Sequence, residues 1–356
     1  MSPSVVITGL GLVLPCGDGP EAARASLASG VPCFRELAPE FGIGRAAMCP
    51  DFKPAGIIPP MQLRRLDRAS RYTWVAAAQA FADAGLDPKA FGGERIGLAA
   101  GTLSGGSEAS EAFYRPYLDR GPEAASPLLF PNCVANAPSG YVAVTFGLKG
   151  PSATLLEREV AAFEALEQAQ RWLRTGRCDA VLVLGLDSLF PLLTHVLQGA
   201  RMTARHGDPT PMQGGGMLVG EGAQAFLLER EDDARARGAR IRARIGGLAC
   251  LAPDTERGDR AACLATAVAE VLDGPPTRWI SGASGERRLD AAERPLWNRP
   301  DLPAPVTPKA LWGEFCGCGG QLVGAALLEA SPRVLVTGPA SFGPQYALRL
   351  DAVVAP

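Results

Sequence analysis

Cysteine and histidine are the side chains in this sequence best suited to nucleophilic and acid–base chemistry, and their numbers differ sharply. The 356-residue chain contains nine cysteines but only two histidines, His195 and His206. A reaction that needs a pair of imidazoles would have to use both of them. The cysteines form no CxxC pair, and Cys316 and Cys318 lie too close together for an ordinary structural zinc pair. The sequence therefore predicts no metal site and mostly reduced, buried thiols.

A glycine motif near the N-terminus suggests a nucleotide cofactor, but the motif is incomplete. Gly9 and Gly11 follow an apolar run, whereas Leu14 occupies the third glycine position of the dinucleotide-binding pattern. We therefore expect neither a nucleotide nor any other cofactor.

The composition excludes several classes of partner. Lys and Arg total 35 against 37 Asp and Glu, a net charge of −2, so the chain has no basic footprint for nucleic acid. No apolar run reaches the roughly 18 residues of a membrane span, and the N-terminus lacks the basic region of a signal peptide. These observations predict a soluble, cytoplasmic protein.

Strand-like and helix-like segments alternate along the chain, and these elements must position any site. Apolar runs of strand length occur at residues 5–8, 96–101, 180–184 and 223–228, and helical apolar stripes at residues 71–86 and 160–174. A charged stretch then separates an N-terminal unit, residues 1–240, from a C-terminal unit, residues 241–356. We predict a loop over the Pro-rich residues 294–308. The alternation predicts an α/β fold with mainly parallel strands.

Several stretches together resemble the elongating β-ketoacyl-acyl-carrier-protein synthases of the thiolase superfamily. They are residues 5–19, 64–71, 126–152, 177–185 and 219–229, with Lys309, Gly313 and Gly317. The resemblance extends over nearly the whole chain. It implies the thiolase fold, an α/β architecture in which two α/β halves stack into a five-layered αβαβα body, and it implies dimerisation through the first half.

The resemblance does not extend to the residues that carry the family's reaction. Active members use a cysteine at a helix N-terminus, whose thiolate takes the acyl chain, and two histidines that assist decarboxylation and stabilise the oxyanion. At the cysteine position this chain has Glu159. The first histidine position falls on Gly282 or its neighbour Ala283, and the second falls on Glu314. The family's lysine is retained as Lys309. The resemblance therefore implies a chain that neither condenses nor decarboxylates acyl units.

Several interpretations of these replacements stay open. Glu159 either blocks acyl loading and bonds to a partner subunit, or records drift at a dead site where a helix start favours an acid. A further interpretation pairs Glu159 with Glu314 as a new acid–base couple. Cys316 or Cys318 could then serve as a nucleophile, or each could be a small packing residue in a Gly-rich loop.

Two surface segments also gain a role from the resemblance. The first comprises Leu128, Leu129, Phe130, Cys133 and Val134. In the family this region crosses the dimer interface and lines the partner's acyl tunnel, and the alternative is an ordinary interface core. The second comprises Arg64, Arg65, Arg68 and Arg71. Such charges receive the acidic carrier protein in the family, and the alternative is a solvated helix end.

The resemblance predicts a chain-length-factor-like subunit. It would pair with an active ketosynthase, as a heterodimer or heterotetramer, and shape the tunnel in which a polyketide, polyene or fatty acyl chain grows. The acyl carrier protein would act mainly through the partner. Two alternatives stay open. One is an enzyme of changed chemistry that hydrolyses or transfers acyl groups with Glu159, Glu314 or a cysteine. The other is a homodimeric scaffold that binds acyl carriers.

Overall fold

Strands and helices alternate in the structure as predicted. A computed structural model describes residues 3–49, 52, 54, 56–204, 207–255 and 258–353. The strands are β1 (Val5–Leu14), β2 (Gly17–Asp18), β3 (Arg35–Glu36), β4 (Arg45–Ala46), β5 (Ile96–Thr102), β6 (Ser152–Leu155), β7 (Ala180–Asp187), β8 (Gly222–Arg230), β9 (Ala243–Leu251), β10 (Arg278–Ile280), β11 (Pro305–Val306), β12 (Arg333–Gly338) and β13 (Gln345–Asp351). The helices are α1 (Gly19–Ser29), α2 (Pro60–Leu63), α3 (Arg68–Asp83), α4 (Pro88–Phe91), α5 (Ser107–Arg120), α6 (Ala137–Phe146), α7 (Ala161–Arg174), α8 (Pro191–Gly199), α9 (Glu231–Ala236), α10 (Arg260–Val271), α11 (Arg287–Trp297), α12 (Lys309–Trp312) and α13 (Gly320–Leu328).

The main sheet shows that the chain is built from two halves of the same design. Its strand order is β11-β10-β12-β13-β9-β1-β8-β7-β5-β6, with β2 paired to β1. In each half three parallel neighbours, β6-β5-β7 or β11-β10-β12, are followed by two antiparallel strands. The halves join where Val6 and Ile7 of β1 pair with Arg244 and Ala243. The sequence does not reveal this repeat, and the unit boundary at residue 240 stays a prediction.

Three apolar clusters lie between five layers. In the central cluster Phe163 of α7 and Leu322 of α13 pack with residues from the strands of both halves, such as Leu12 and Leu348. The outer face of the first-half strands is covered by α3 and α6, and that of the second-half strands by α10 and α11. Burial of this kind, roughly 1.5–3 kcal/mol for a large apolar side chain, is what stabilises the two central helices. The predicted five-layered αβαβα thiolase fold is confirmed.

The incomplete glycine motif has a packing role in this structure. A Cβ atom at Gly9 would lie 2.2 Å from the carbonyl oxygen of Ala80, and one at Gly11 would lie 1.9 Å from that of Ala76. Both carbonyls belong to α3, so the backbone of β1 lies directly against this helix. The glycines are needed for this close approach, which accounts for them without a dinucleotide.

The prediction for residues 294–308 is wrong in its first part. Helix α11 spans Arg287–Trp297 and includes Pro295. Pro295 removes one N–H hydrogen bond to the preceding turn, and the helix ends two residues after it. The buried residues Leu289, Ala292 and Leu296 give the helix its apolar face. Among the described residues, no helix is both long and apolar enough to cross a membrane.

Candidate functional site

The candidate site lies where the N-termini of the two central helices meet. Glu159 sits in a 3₁₀ turn, Arg158–Val160, that leads directly into α7. Gly319, with φ of +91°, precedes α13, and a Cβ atom there would lie 2.7 Å from the backbone oxygen of Glu159. The N–H of Ala162 donates to the carbonyl of Cys318 across 3.1 Å. The fold therefore brings the predicted cysteine position together with the loop that carries the second histidine position.

Glu159 is fully buried and held by hydrogen bonds. Its Oε1 accepts from the Ser341 hydroxyl at 2.6 Å, and its Oε2 lies 3.4 Å from Nε of Arg158. Arg158 also donates to the carbonyl of Phe342 at 3.2 Å and stacks on its ring. Arg288 stacks on the same ring, with its guanidinium carbon 5.0 Å from the centroid. These contacts close the carboxylate off from solvent.

Glu314 forms a buried ion pair with Lys309. The Nζ–Oε1 distance is 2.8 Å, and the side chains are 1% exposed for Lys309 and 0% for Glu314. Burial raises the pKa of the Glu314 carboxyl, Lys309 opposes that rise, and the charge of Glu159 adds to it. The two glutamates therefore interact electrostatically, as the acid–base interpretation requires. Both carboxylates are inaccessible to a substrate in this conformation.

The thiols of Cys316 and Cys318, near this cluster, are protonated and donate hydrogen bonds. Cys318 donates to Oδ2 of Asp187 at 2.5 Å, and burial beside this carboxyl raises the Cys318 pKa well above its ordinary value. Asp187 accepts further bonds from Ser104 and Thr102, and burial raises its pKa. Cys316 donates to the carbonyl of Glu221 at 3.2 Å, and burial raises its pKa as well. Neither thiol is prepared for nucleophilic attack.

Gly282, one of the two predicted positions of the first histidine, has no room for a side chain. A Cβ atom at Gly282 would lie 2.3 Å from Cδ of Pro339 and 2.8 Å from the carbonyl oxygen of Thr337. Its N–H donates to Oε1 of Glu293 at 2.8 Å. Glu293 is fully buried, its pKa is raised by burial, and it also accepts from Ser281, Thr337 and Trp297. Ala283, the alternative position, is also buried.

The two histidines do not complete a catalytic set in the described structure. His195 is exposed on α8, and its Nε2 lies 3.0 Å from the carbonyl oxygen of Glu40. His206 lies outside the described residues. Sequence reasoning missed Asp187 and Ser341. An acidic residue that ends the apolar run of β7 was an available signal for Asp187, whereas Ser341 had no local signal.

The segment Leu128–Val134 contributes to a large apolar face. Leu128 is 79% exposed, Phe130 61% and Val134 52%, while Leu129 and Cys133 are half-buried. Neighbouring elements add further exposed apolar side chains. The apolar face comprises Tyr114, Tyr117, Leu118, Leu128, Phe130, Val134, Val144 and Leu156. Contacts between Phe113 and Phe130, and between Ser139 and Thr154, connect α5, this segment, α6 and β6.

The four arginines have different environments. Arg64 and Arg65 are exposed. Arg68 is half-buried, with its Nε 3.0 Å from Oε1 of Glu108 and its Nη2 3.2 Å from Oε2 of Glu221. Arg71 is also half-buried and donates to the carbonyl of Leu66 at 2.9 Å. Arg68 and Arg71 therefore have structural contacts, and carrier binding by the four arginines stays a prediction.

Comparisons with known proteins agree with this fold. The profile of the β-ketoacyl synthase N-terminal domain matches residues 2–234. The 3-oxoacyl-[acyl-carrier-protein] synthase 2 of Staphylococcus aureus (strain COL) is 28% identical over 279 residues, which cover 72% of this chain and 67% of that protein. The protein of the same name from Coxiella burnetii (strain RSA 493 / Nine Mile phase I) is 31% identical over 255 residues, or 68% of this chain and 62% of that protein.

Solved structures give the same result for the three-dimensional architecture. The ishigamide ketosynthase/chain length factor superposes with a TM-score of 0.86 at 23% identity, covering 99% of this chain and 100% of that chain. A β-ketoacyl synthase from Burkholderia phymatum STM815 gives 0.84 at 21% identity, with the same coverage. The fold, the domain match and the identity to curated relatives lead to one conclusion: this chain belongs to the β-ketoacyl synthase family.

Proposed function

We propose that this chain is a non-catalytic, chain-length-factor-like subunit that pairs with an active ketosynthase. The observation that carries the proposal is the closed interior of the candidate site. Glu159 is bonded to Ser341, Glu314 is paired with Lys309, and Gly282 has no space for an imidazole. Each position that would act in condensation is instead used for internal packing or pairing.

The chemistry of the replacements supports this interpretation. A thiolate is a good acyl acceptor because a thioester is stable in water yet reactive toward an enolate. Glutamate would form an anhydride, which hydrolyses. With no imidazole among the described residues of the cluster, nothing there matches the family's means of stabilising the enolate of a decarboxylating malonyl group.

Pairing is supported by the apolar face together with the edge of the sheet. Strand β6 ends the main sheet and, in the described structure, pairs on one side only, with β5. Residues of the apolar face lie beside this strand: Leu156 directly follows it, and Val144 lies on α6, whose Ser139 hydroxyl is 3.2 Å from that of Thr154 in β6. Val144 is 84% exposed and Leu118 77%. A sheet edge beside exposed apolar side chains is typical of an interaction surface. A second subunit that adds its own edge strand would satisfy both features.

The exposed side chain of Phe130 would limit the length of the product in the proposed complex. Its ring projects from the described body of the chain and is supported from behind by Phe113, with ring centroids 5.6 Å apart. In a pair, a projecting aromatic side chain would reach into the partner. We expect Phe130→Ala to lengthen the product of the complex and Leu129→Ala to have a smaller effect, because Leu129 is already half-buried in its own chain. Unchanged product length in both variants would reject the tunnel role.

Two exposed arginines, Arg64 and Arg65, are the residues with which this chain would contact a carrier protein. Arg64 and Arg65 are exposed beside the apolar face, since the Asn132 side chain donates to the carbonyl of Arg65 at 2.8 Å. A carrier protein docked on the partner would lie near these two charges. One solved structure with the same fold is that of a type II polyketide acyl-carrier protein in complex with its ketosynthase. We expect the carrier protein to associate with the complex modestly more slowly when both arginines are replaced by serine, because the electrostatic attraction is weaker.

The decisive experiment is co-expression with candidate active ketosynthases, followed by native mass spectrometry and product analysis. We expect a stable heteromeric complex that makes an elongated acyl chain, whereas the isolated chain acquires no acyl group from a loaded carrier protein. A homodimer that ignores every ketosynthase and turns over acyl thioesters by itself would overturn the proposal. That outcome would favour the enzyme of changed chemistry that uses Glu159, Glu314 or a cysteine.

A further inference from the structure

The segment Leu128–Val134 has one buried residue, and that residue is polar. The centre of the segment is the 3₁₀ turn Phe130–Asn132, in which Asn132 is 2% exposed. The side chains of Leu128 and Phe130 are exposed beside it. Hydrogen bonds within a short 3₁₀ turn have poor geometry, so the position of this turn depends on what Asn132 contacts.

The amide of Asn132 forms a hydrogen bond at each of its polar ends. Its Nδ2 donates to the carbonyl of Arg65 at 2.8 Å, and its Oδ1 accepts from the hydroxyl of Tyr141 at 2.7 Å. Because a carbonyl oxygen can only accept, the contact with Arg65 fixes which way the amide faces. Burial raises the pKa of Tyr141, so its hydroxyl remains a donor at neutral pH. Asn132 therefore joins the turn to the segment before α3 and to α6 in one orientation.

The backbone of the turn also lies directly against the loop that precedes α5. A Cβ atom at Gly106 would lie 2.0 Å from the carbonyl oxygen of Asn132 and 2.6 Å from that of Val134. The Ser110 hydroxyl of α5 lies 3.2 Å from the carbonyl oxygen of Cys133, to which it donates. Glycine at position 106 allows this close approach. The turn is thus held on one side by backbone packing and on the other by the Asn132 amide.

We propose that Asn132 is a positioning residue that sets product length by holding the ring of Phe130 at a fixed depth in the partner subunit. The inference rests on the proposed subunit function and adds to it the group that fixes the projecting ring. Phe130 lies two residues before Asn132 in the same turn, and Phe113 supports its ring from behind. Contact between rings tolerates sliding, whereas two directional hydrogen bonds to separate elements define one position. Without the amide the turn would shift and the ring would withdraw, so the tunnel would admit a longer chain.

The first test measures product length in a double-mutant cycle. Complexes with an active ketosynthase are prepared from the wild-type chain, Asn132→Ala, Phe130→Ala and the double variant, and their carrier-bound products are measured by mass spectrometry. We expect Asn132→Ala to shift the product toward longer chains, in the direction of Phe130→Ala. Because Asn132 acts through Phe130, the double variant should give the same length as Phe130→Ala alone. Wild-type length in Asn132→Ala, or additive shifts in the double variant, would overturn the inference.

Gln345→Ala is the matched control for the loss of a buried amide. Gln345 is fully buried in β13, where its Oε1 accepts from the N–H of Ala340 at 3.1 Å and its Nε2 donates to the carbonyl of Gly343 at 3.0 Å. It should lower the stability of the chain without changing product length. An equal shift in product length from Gln345→Ala would assign the effect to general loss of stability and contradict positioning. Where Asn132→Ala does not fold, Tyr141→Phe removes one of the two bonds, and an unchanged length in that variant counts against the inference.

Hydrogen–deuterium exchange in the isolated, full-length chain tests positioning without a partner. The N–H of Cys133 donates to the carbonyl of Phe130 at 3.0 Å, so its exchange reports opening of the turn. We expect Asn132→Ala to speed exchange in peptides that cover residues 128–134 by roughly 10- to 100-fold, and Gln345→Ala to leave it unchanged. Wild-type exchange in Asn132→Ala, with normal pairing to a ketosynthase, would refute the positioning role alone. Faster exchange in a chain whose wild type pairs with no ketosynthase would refute the subunit function, and with it the role in product length.

Discussion

The buried cluster around Glu159 and the apolar face differ in how far the chain itself covers them. In the cluster, the fully buried Glu159 accepts from Ser341, and Oε1 of the fully buried Glu314 lies 2.8 Å from Nζ of Lys309, while its Oε2 has no hydrogen-bond partner in the described structure. On the face, Leu128 and Val144 are 79% and 84% exposed and have no cover within the described chain. A closed interior gives a substrate no access in this conformation, whereas an apolar surface left open favours a partner. This difference supports the proposal that the chain acts by pairing with another subunit.

The energetic costs of changing the two regions should also differ. A buried charge that loses its partner keeps its full desolvation penalty. An exposed apolar side chain contributes little to the isolated subunit but much to a complex when it becomes buried. Substitutions in the cluster should therefore lower the stability of the subunit, and substitutions on the face should weaken pairing.

The largest effect is expected from Lys309→Met. This change leaves the fully buried Glu314 without its cation and close to Glu159. We expect the free energy of unfolding, measured by chemical denaturation, to fall by about 3–5 kcal/mol. The double variant Lys309→Met/Glu314→Leu should recover most of this loss. Lys149→Met, which removes a solvent-exposed pair with Glu94, should hardly change the free energy of unfolding, because exposed ion pairs contribute little to stability. Equal effects in the buried and exposed variants would contradict the paired interior.

Val144→Asp tests the other side of the comparison. The new carboxylate lies at the most exposed apolar position of the face, so it would be desolvated in the complex. We expect affinity for the partner ketosynthase, measured by titration, to fall by about 2–4 kcal/mol, or roughly 30- to 1000-fold. The stability of the isolated subunit should hardly change. Val31→Asp is the matched control, because Val31 is 63% exposed after α1, outside the apolar face. If both variants pair equally well, the face is not the interface.

Gly282→Ala examines how tightly the first histidine position is packed. The added methyl group would overlap Pro339 and the carbonyl of Thr337. We expect a loss of about 1–3 kcal/mol in unfolding free energy. Gly140→Ala in α6 is the control, since a Cβ atom there meets nothing within 4 Å, and it should stabilise the isolated chain by about 0.4–1 kcal/mol. A neutral result for Gly282→Ala would show that the loop can admit a side chain.

Glu159→Gln should have the smallest effect on the free energy of unfolding. The effect should be visible as a change in how that free energy depends on pH. Because Glu314 has a raised pKa in the folded state, the folded chain keeps a proton that the unfolded chain releases above pH 4.5, its ordinary pKa. Stability therefore falls as the pH rises through the folded pKa. Removing the Glu159 charge lowers that pKa and makes the fall shallower, by about 1 kcal/mol or less at pH 7.

Unfolding measurements between pH 5 and pH 8 would detect this change in slope. Glu167→Gln is the control, because Glu167 lies on the same helix, 38% exposed, and pairs with Arg171 in solvent. A slope that Glu159→Gln leaves unaltered would show that the two buried carboxylates are not coupled. The retained Gln Oε1 would still accept from Ser341, so a large loss of stability is not expected.

The sequence predicted the elements with long apolar patterns better than those built on polar or proline-containing segments. Residues 160–174 and 180–184 were recognised because all of their apolar positions face the core. Helix α11 was missed because Pro295 lies inside it and its apolar face is short. The sequence predicts one patch of four arginines, whereas in the structure Arg68 pairs with Glu108 and Glu221. Neither carboxylate is a neighbour of Arg68 in the sequence.

The family and the alternation of strands and helices follow from the sequence alone, which also predicts that cysteine and histidine are missing from the positions that the family's reaction uses. Residue types and local spacing carry that information. The tertiary structure was needed to show that Ser341 donates to the buried Glu159 and that Gly282 has no room for a side chain. These contacts join residues that are far apart in the sequence. Whether two such groups form a hydrogen bond or overlap depends on distances of a few tenths of an ångström, which local residue patterns do not encode.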